Sequence, residues 1–159
     1  MAETQGCARV TSTVTSDARD DQQPSKEVLE KKEIKMTAQV GQKAPEFTAP
    51  AYYQGGFTNV SLSDFAGKWV LVCFYPGDFT FVWATEVSAV ADKYSVLQDL
   101  GVEVISVSVD SHFVHKMWND YELTKMVDGG VPFHMAADQA GNVGRAYGVW
   151  DENQGIELR

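Results

Sequence analysis

Two cysteines, three histidines and one short loop hold most of the chemistry this 159-residue chain can offer. Cys73 sits inside the apolar run Trp69-Val70-Leu71-Val72-Cys73-Phe74-Tyr75, where a thiol reads as a small buried core residue rather than a reactive one. Cys7 lies in a polar stretch without aromatic neighbours and reads as a solvent-exposed thiol with no assigned role. Two cysteines are too few for a disulfide-stapled scaffold. His112 and His115 are three residues apart and would share a helix face, with His134 further on. Metal sites of that kind take three or four ligands, and no Cys or acidic cluster completes this set. Packing at a helix start is the expectation for the histidines, and no metal or cofactor is expected. The loop that follows the apolar run supplies Pro76, Thr80, Trp83 and Glu86. Taken singly, Pro76 ends a strand, Thr80 caps or turns, and Glu86 complements the positive end of a helix. Trp83 brings an indole N–H donor but no ionisable group and no nucleophile. Arg159, the last residue, reads as a frayed end.

The elements that would position these residues are legible from hydrophobic periodicity. Residues 59–62 read as a short strand and 63–67 as a turn. The run 69–75 has strand length and is continuously apolar, which suits a sheet covered on both faces. Pro76-Gly77-Asp78 breaks it. From about Ala84 to Leu100, apolar residues at Val87, Val90, Ala91, Tyr94 and Leu97 mark one amphipathic helix, and Gly101 stands in the helix-stop position. Residues 102–109 are β-branched and read as a second buried strand. Strand, helix and strand with short joints make a right-handed βαβ unit. A second helix is expected over about 111–127, a strand over 133–137 and a short helix over 142–147. The class is α/β.

Composition limits the partners. The net charge of −9 disfavours nucleic acid, which binds through Lys and Arg. No apolar run approaches the roughly 18 residues of a membrane span. No secretory signal pattern opens the chain, so the expected address is cytoplasmic and no membrane partner is expected. Residues 1–37 carry no aromatic residue, the first being Phe47. Such a stretch buries too little surface to offset its ordering entropy and is expected to be disordered; a short helix over 24–35 would lack an apolar stripe. Residues 38–159 form the expected domain. Met36 begins the segment Met-Thr-Ala-Gln-Val-Gly-Gln-Lys-Ala-Pro. If Lys32-Glu33 are encoded AAG-GAG they spell a ribosome-binding site just upstream, so a second expectation is that the native chain starts at Met36 and the tail is spurious.

Three ordered blocks carry a family resemblance. Residues 74–86, Phe-Tyr-Pro-Gly-Asp-Phe-Thr-Phe-Val-Trp-Ala-Thr-Glu, resemble the active-site loop of typical 2-Cys peroxiredoxins, Pro-x-x-x-Thr-x-x-Cys followed by Pro-Thr-Glu. Residues 107–118, Val-Ser-Val-Asp-Ser-His-Phe-Val-His-Lys-Met-Trp, resemble the same subgroup's second block. Ala137-Asp138 followed by Ala146-Tyr147-Gly148-Val149 match a third. The start of the segment at Met36 resembles that of many peroxiredoxins too. The resemblance implies a thioredoxin-like fold of the peroxiredoxin type and a thiol peroxidase acting on hydrogen peroxide and alkyl hydroperoxides. It implies a thioredoxin-like dithiol reductant and a homodimer or ring of dimers. It also implies site roles: Pro76 shields the nucleophile, Thr80 holds it and a peroxide oxygen, Arg159 in Gly-Ile-x-x-Arg stabilises the departing oxygen, and Glu86 orients that arginine.

The resemblance fails in two places. Trp83 occupies the position of the peroxide-attacking cysteine, and an indole cannot form a sulfenic acid. It also exceeds a thiol in volume, so overpacking of about 1–3 kcal/mol is expected to push the loop outward. Ala84 replaces the family's Pro. The strands, helix and resolving cysteine that follow the arginine in the family have no counterpart here, so a C-terminally truncated domain with an uncovered sheet edge is expected. Three accounts of Trp83 stand open: a substitution of Cys, a UGA selenocysteine codon read as Trp, and a pseudoenzyme residue filling the pocket. As written, the chain is expected to be inactive. The alternative function is a non-catalytic peroxiredoxin-fold scaffold or holdase. Gly129-Gly130 only partly resembles the Gly-Gly-Leu-Gly loop of oxidation-sensitive members.

Overall fold

The computed structural model describes residues 37–158. The expected tail with Cys7, the candidate start at Met36, and Arg159 lie outside those residues. Two strands, β1 (Thr48–Tyr53) and β2 (Gly56–Ser61), form a hairpin. Its two-residue turn needs positive φ at both central positions, and Gln54 (φ 43) and Gly55 (φ 87) supply them. A 3₁₀ turn, Leu62–Phe65, leads to β3 (Trp69–Phe74). Then follow α1 (Phe81–Asp92), α2 (Tyr94–Asp99), β4 (Val102–Ser108), α3 (His112–Tyr121), β5 (His134–Ala137), α4 (Asn142–Tyr147) and a small hairpin of β6 (Trp150–Asp151) and β7 (Ile156–Glu157).

The main sheet has the order β2-β1-β5-β4-β3, with β3, β4 and β5 parallel and β1 antiparallel to β5. Alternation along the strands builds a core on each face. Cys73, Val104 and Met135 point with α1, α2 and α3 toward a cluster around Tyr75, Trp118 and Phe133. Val72, Ile105, Val107 and Ala136 point to the other cluster, with Phe47 and Val143.

Four expectations need correction. The helix expected over 84–100 is two, the first ending and the second starting at Lys93 (φ −97, ψ 0), and Tyr94 just beyond donates its hydroxyl to Glu103 Oε2 on β4 at 2.7 Å. The second helix stops at Tyr121 rather than near 127, continuing as a 3₁₀ turn at Leu123–Lys125. β3 lies at the edge of the described sheet and its cover is incomplete: Val70, Val72 and Phe74 pack on one core cluster and Cys73 on the other, but Trp69 is 78% exposed and Leu71 41%. Finally, β1, β6 and β7 were not anticipated. β1 carries a proline, tolerated because Pro50 is exposed and precedes the point where pairing with β5 begins at Ala51.

Candidate active site

The loop between β3 and α1 is fixed by buried polar contacts. Tyr75 continues the strand, its N–H donating to the Val107 carbonyl at 3.1 Å. Its hydroxyl donates to Asp78 Oδ1 at 2.7 Å. The other Asp78 oxygen lies 2.8 Å from His115 Nδ1 on α3, and His115 Nε2 lies 3.2 Å from the Ala136 carbonyl on β5. The side chains of Asp78 and His115 are wholly buried. The Asp78 N–H donates to Asp110 Oδ2 at 2.6 Å. Burial pushes the Asp78 carboxyl up from its ordinary range, while His115 and Tyr75 pull against that; burial likewise pushes the Tyr75 phenol well up. A Cβ at position 77 would lie 2.9 Å from Asp110 Oδ2, so any side chain there must displace that carboxylate.

Phe79 follows with φ 56, a left-handed conformation that a bulky side chain enters only under constraint. Thr80 is the N-cap of α1, yet its hydroxyl donates backwards to the Gly77 carbonyl at 2.9 Å. The first turn closes through the Ala84 N–H to the Thr80 carbonyl at 3.3 Å. Trp83 is therefore the third residue of α1, in the turn whose N–H groups have no intrahelical acceptor and whose dipole end is positive. With Trp83 in place α1 keeps its first turn, and the half-buried indole packs on the first core cluster, 6.1 Å from the Tyr75 ring.

Of the residues singled out from sequence, Pro76, Thr80, Trp83 and Glu86 all lie on this loop or the start of α1. Trp83 and Glu86 line a cavity of about 60 Å³ together with Cys73, Tyr75, Val87 and Ser106. Cys73 is half-buried rather than fully buried, and burial, then the Glu86 charge, push its thiol up, which disfavours thiolate. The Ser106 hydroxyl has no hydrogen-bond partner. The histidines are separated: His134 stacks on Tyr53 with centroids 4.0 Å apart, His112 packs beside Phe57 and Phe113, and His115 is engaged as above. Among the described residues, no group of three or more His, Cys, Asp or Glu side chains is placed to hold a metal ion.

Sequence reasoning missed Tyr75, Asp78, Asp110 and His115 as a unit. The signal available was His115 and Trp118, three apart on one apolar helix face, with an aspartate in a loop flanked by large apolar residues. Spacing could not show that the two ends meet across 37 residues.

Comparison with known proteins adds a second line. The AhpC/TSA family profile matches residues 40–159. The selenocysteine-containing peroxiredoxin PrxU of Peptoclostridium acidaminophilum is 64% identical over 120 residues, covering 76% of this chain and 59% of that protein. Alkyl hydroperoxide reductase C of Bacillus subtilis (strain 168) is 39% identical over 122 residues, covering 76% and 63%. The crystal structure of Enterococcus faecalis AhpC superposes with a TM-score of 0.68 at 44% identity, over 74% of this chain and 69% of that one. The reduced 2-Cys peroxiredoxin of Plasmodium vivax gives 0.69 at 33%, over 76% and 63%. The chain thus spans about three fifths of the length of the curated relatives it matches.

Proposed function

Because the chain belongs to the AhpC/TSA family of peroxiredoxins, we propose that it derives from a peroxidase that reduces hydrogen peroxide and alkyl hydroperoxides with a selenolate or thiolate at position 83. Position 83 in the first turn of α1 is the observation that carries this reading. Unpaired N–H groups and the helix dipole favour an anion there. The anion attacks one peroxide oxygen, the O–O bond breaks, and the departing oxygen takes a proton as water or alcohol. The chalcogen is left as its –OH acid, which two thiol equivalents reduce with loss of water.

The named character of PrxU supports one account of Trp83 above the others: a selenocysteine codon read as tryptophan. In this reading Pro76 excludes water, Glu86 orients the arginine at 159, and that arginine stabilises the leaving oxygen. The Thr80 hydroxyl turns its proton from the Gly77 carbonyl to the chalcogen and the peroxide. The reductant is a thioredoxin-type dithiol, the assembly a homodimer or ring of dimers, and the compartment the cytoplasm. The catalytic domain of this reading is residues 38–159. Among the described residues, no helix is long and apolar enough to cross a membrane.

The test is peroxide consumption with a dithiol by the chain as it stands and by Trp83→Cys, each also extended by the C-terminal sequence of its own gene. Turnover only with a chalcogen at 83 supports the reading. Equal turnover with Trp83, or none in the extended cysteine form, refutes it. The codon at position 83 decides the selenocysteine account: UGG dismisses it.

A further inference from the structure

The two contacts of His115 fix a proton count. A backbone carbonyl only accepts, so Nε2, 3.2 Å from the Ala136 oxygen, must donate. An ionised carboxylate also only accepts, so Nδ1, 2.8 Å from Asp78 Oδ2, must face it with a second proton. A neutral imidazole carries one N–H and cannot satisfy both. The Tyr75 hydroxyl already donates to Asp78 Oδ1, which favours the ionised carboxylate and leaves the extra proton on the ring.

From this geometry, and resting on the role proposed for residue 83, we infer that His115 and Asp78 form a buried imidazolium–carboxylate couple whose shared proton positions the loop carrying the peroxide-reactive site. With the proton the couple is neutral overall. Without it, one negative charge remains in a wholly buried place with two lone pairs facing each other, a costly arrangement.

The surroundings favour keeping it. Asp110, following β4, adds a carboxylate on the Asp78 N–H, with the Ser108 hydroxyl beside it. From β3 comes the Tyr75 hydroxyl, from β5 a carbonyl, and from α3 the Trp118 ring against Tyr75. Lys116, the next residue on α3, is paired with Asp120 instead. The couple thus anchors Asp78 to α3 and β5 while Asp110 anchors its backbone to the end of β4. Phe79, next in the chain, is held in its left-handed conformation between that anchor and the Thr80 cap. Residue 83 enters the helix from this constrained path, so Asp78 and His115 are positioning residues: they touch neither peroxide nor chalcogen.

The first measurement uses the ¹⁵N-labelled chain with Trp83 in place. Long-range ¹H–¹⁵N spectra at pH 7.5, assigned by the loss of signals in His115→Gln, should show both His115 ring nitrogens protonated. A bare, pyridine-type nitrogen on His115 overturns the couple, whatever the activity. The second measures alkylation of the thiol in Trp83→Cys as a function of pH, mapped by mass to position 83, so no peroxidase activity is needed. His115→Gln in that background should slow alkylation at pH 7 about tenfold, a rise of about one pH unit in the thiol's apparent midpoint. Adding Asp78→Asn, which leaves no buried charge unpaired, should recover most of the loss. An unmoved midpoint in a folded His115→Gln chain overturns the positioning role. A Trp83→Cys chain that alkylates as expected yet ignores peroxide refutes the proposed function and leaves this inference standing.

Discussion

Replacing Glu157 with glutamine should remove a pH-dependent weakness from the C-terminal hairpin. Glu157, on β7 opposite Trp150, is fully buried, and neither carboxyl oxygen has a hydrogen-bond partner. Asp138 beside it spends its own oxygens on the Asn142 and Gly144 N–H groups, both at 2.8 Å. Burial and then the Asp138 charge push the Glu157 carboxyl from an ordinary 4.5 up to about 8. The unfolded chain therefore loses this proton first, and stability falls as pH rises between 4.5 and 8, being constant on either side. At about 1.4 kcal/mol per pH unit the whole window would cost about 5 kcal/mol. An effective dielectric nearer 20 than 4 reduces that to about 2 kcal/mol. The assay is urea unfolding of the parent and of Glu157→Gln at pH 5 and pH 8.5. The two should be alike at pH 5, and at pH 8.5 the parent should be less stable by about 2 kcal/mol. The comparison cancels the other titrating groups common to both chains. Parallel stability curves across that range would refute the reasoning.

Three further outcomes follow from the described geometry. Gly77→Ala drives a methyl to 2.9 Å from Asp110 Oδ2 and should cost about 1–3 kcal/mol in thermal or urea unfolding; an unchanged midpoint would mean that Asp110 moves freely. Phe79→Asn places at φ 56 a residue that accepts the left-handed region and should stabilise by about 1 kcal/mol, read in the same assay and contradicted by a loss. His134 is held below its ordinary 6.5 by burial, so its proton NMR titration midpoint should fall below that value. Its contribution to stability is then present above pH 6.5 and lost as pH falls through its lowered midpoint; a midpoint at or above 6.5 would contradict the assignment.

The parts of the fold that read well from sequence are those with strong periodicity over some length. β3, β4, β5 and α4 fall close to where their apolar patterns put them, because each has a core on its inward positions. β1 escaped because Thr-Ala-Pro-Ala-Tyr-Tyr lacks β-branched residues beyond its threonine and contains a proline, and its strand state comes from pairing on both sides with β2 and β5. The break at Lys93 is equally invisible locally, since no glycine or proline marks it and its partner, Glu103, lies on the next strand. At the candidate site, the motif spacing singled out Pro76, Thr80, Trp83 and Glu86, which lie together on the loop and the start of α1. The polar chain beneath them depends on which oxygen faces which ring nitrogen, and no one-dimensional pattern encodes that.

None of the bonds that shape the Tyr75–Asp78–His115 chain has residue 83 as a partner. Those hydrogen bonds are made by the residues around position 83, even though the indole packs beside Tyr75. A single codon read one way or another exchanges a redox atom for a ring without removing any partner of those bonds. Fold integrity, in such a protein, is no witness to whether the chemistry survives.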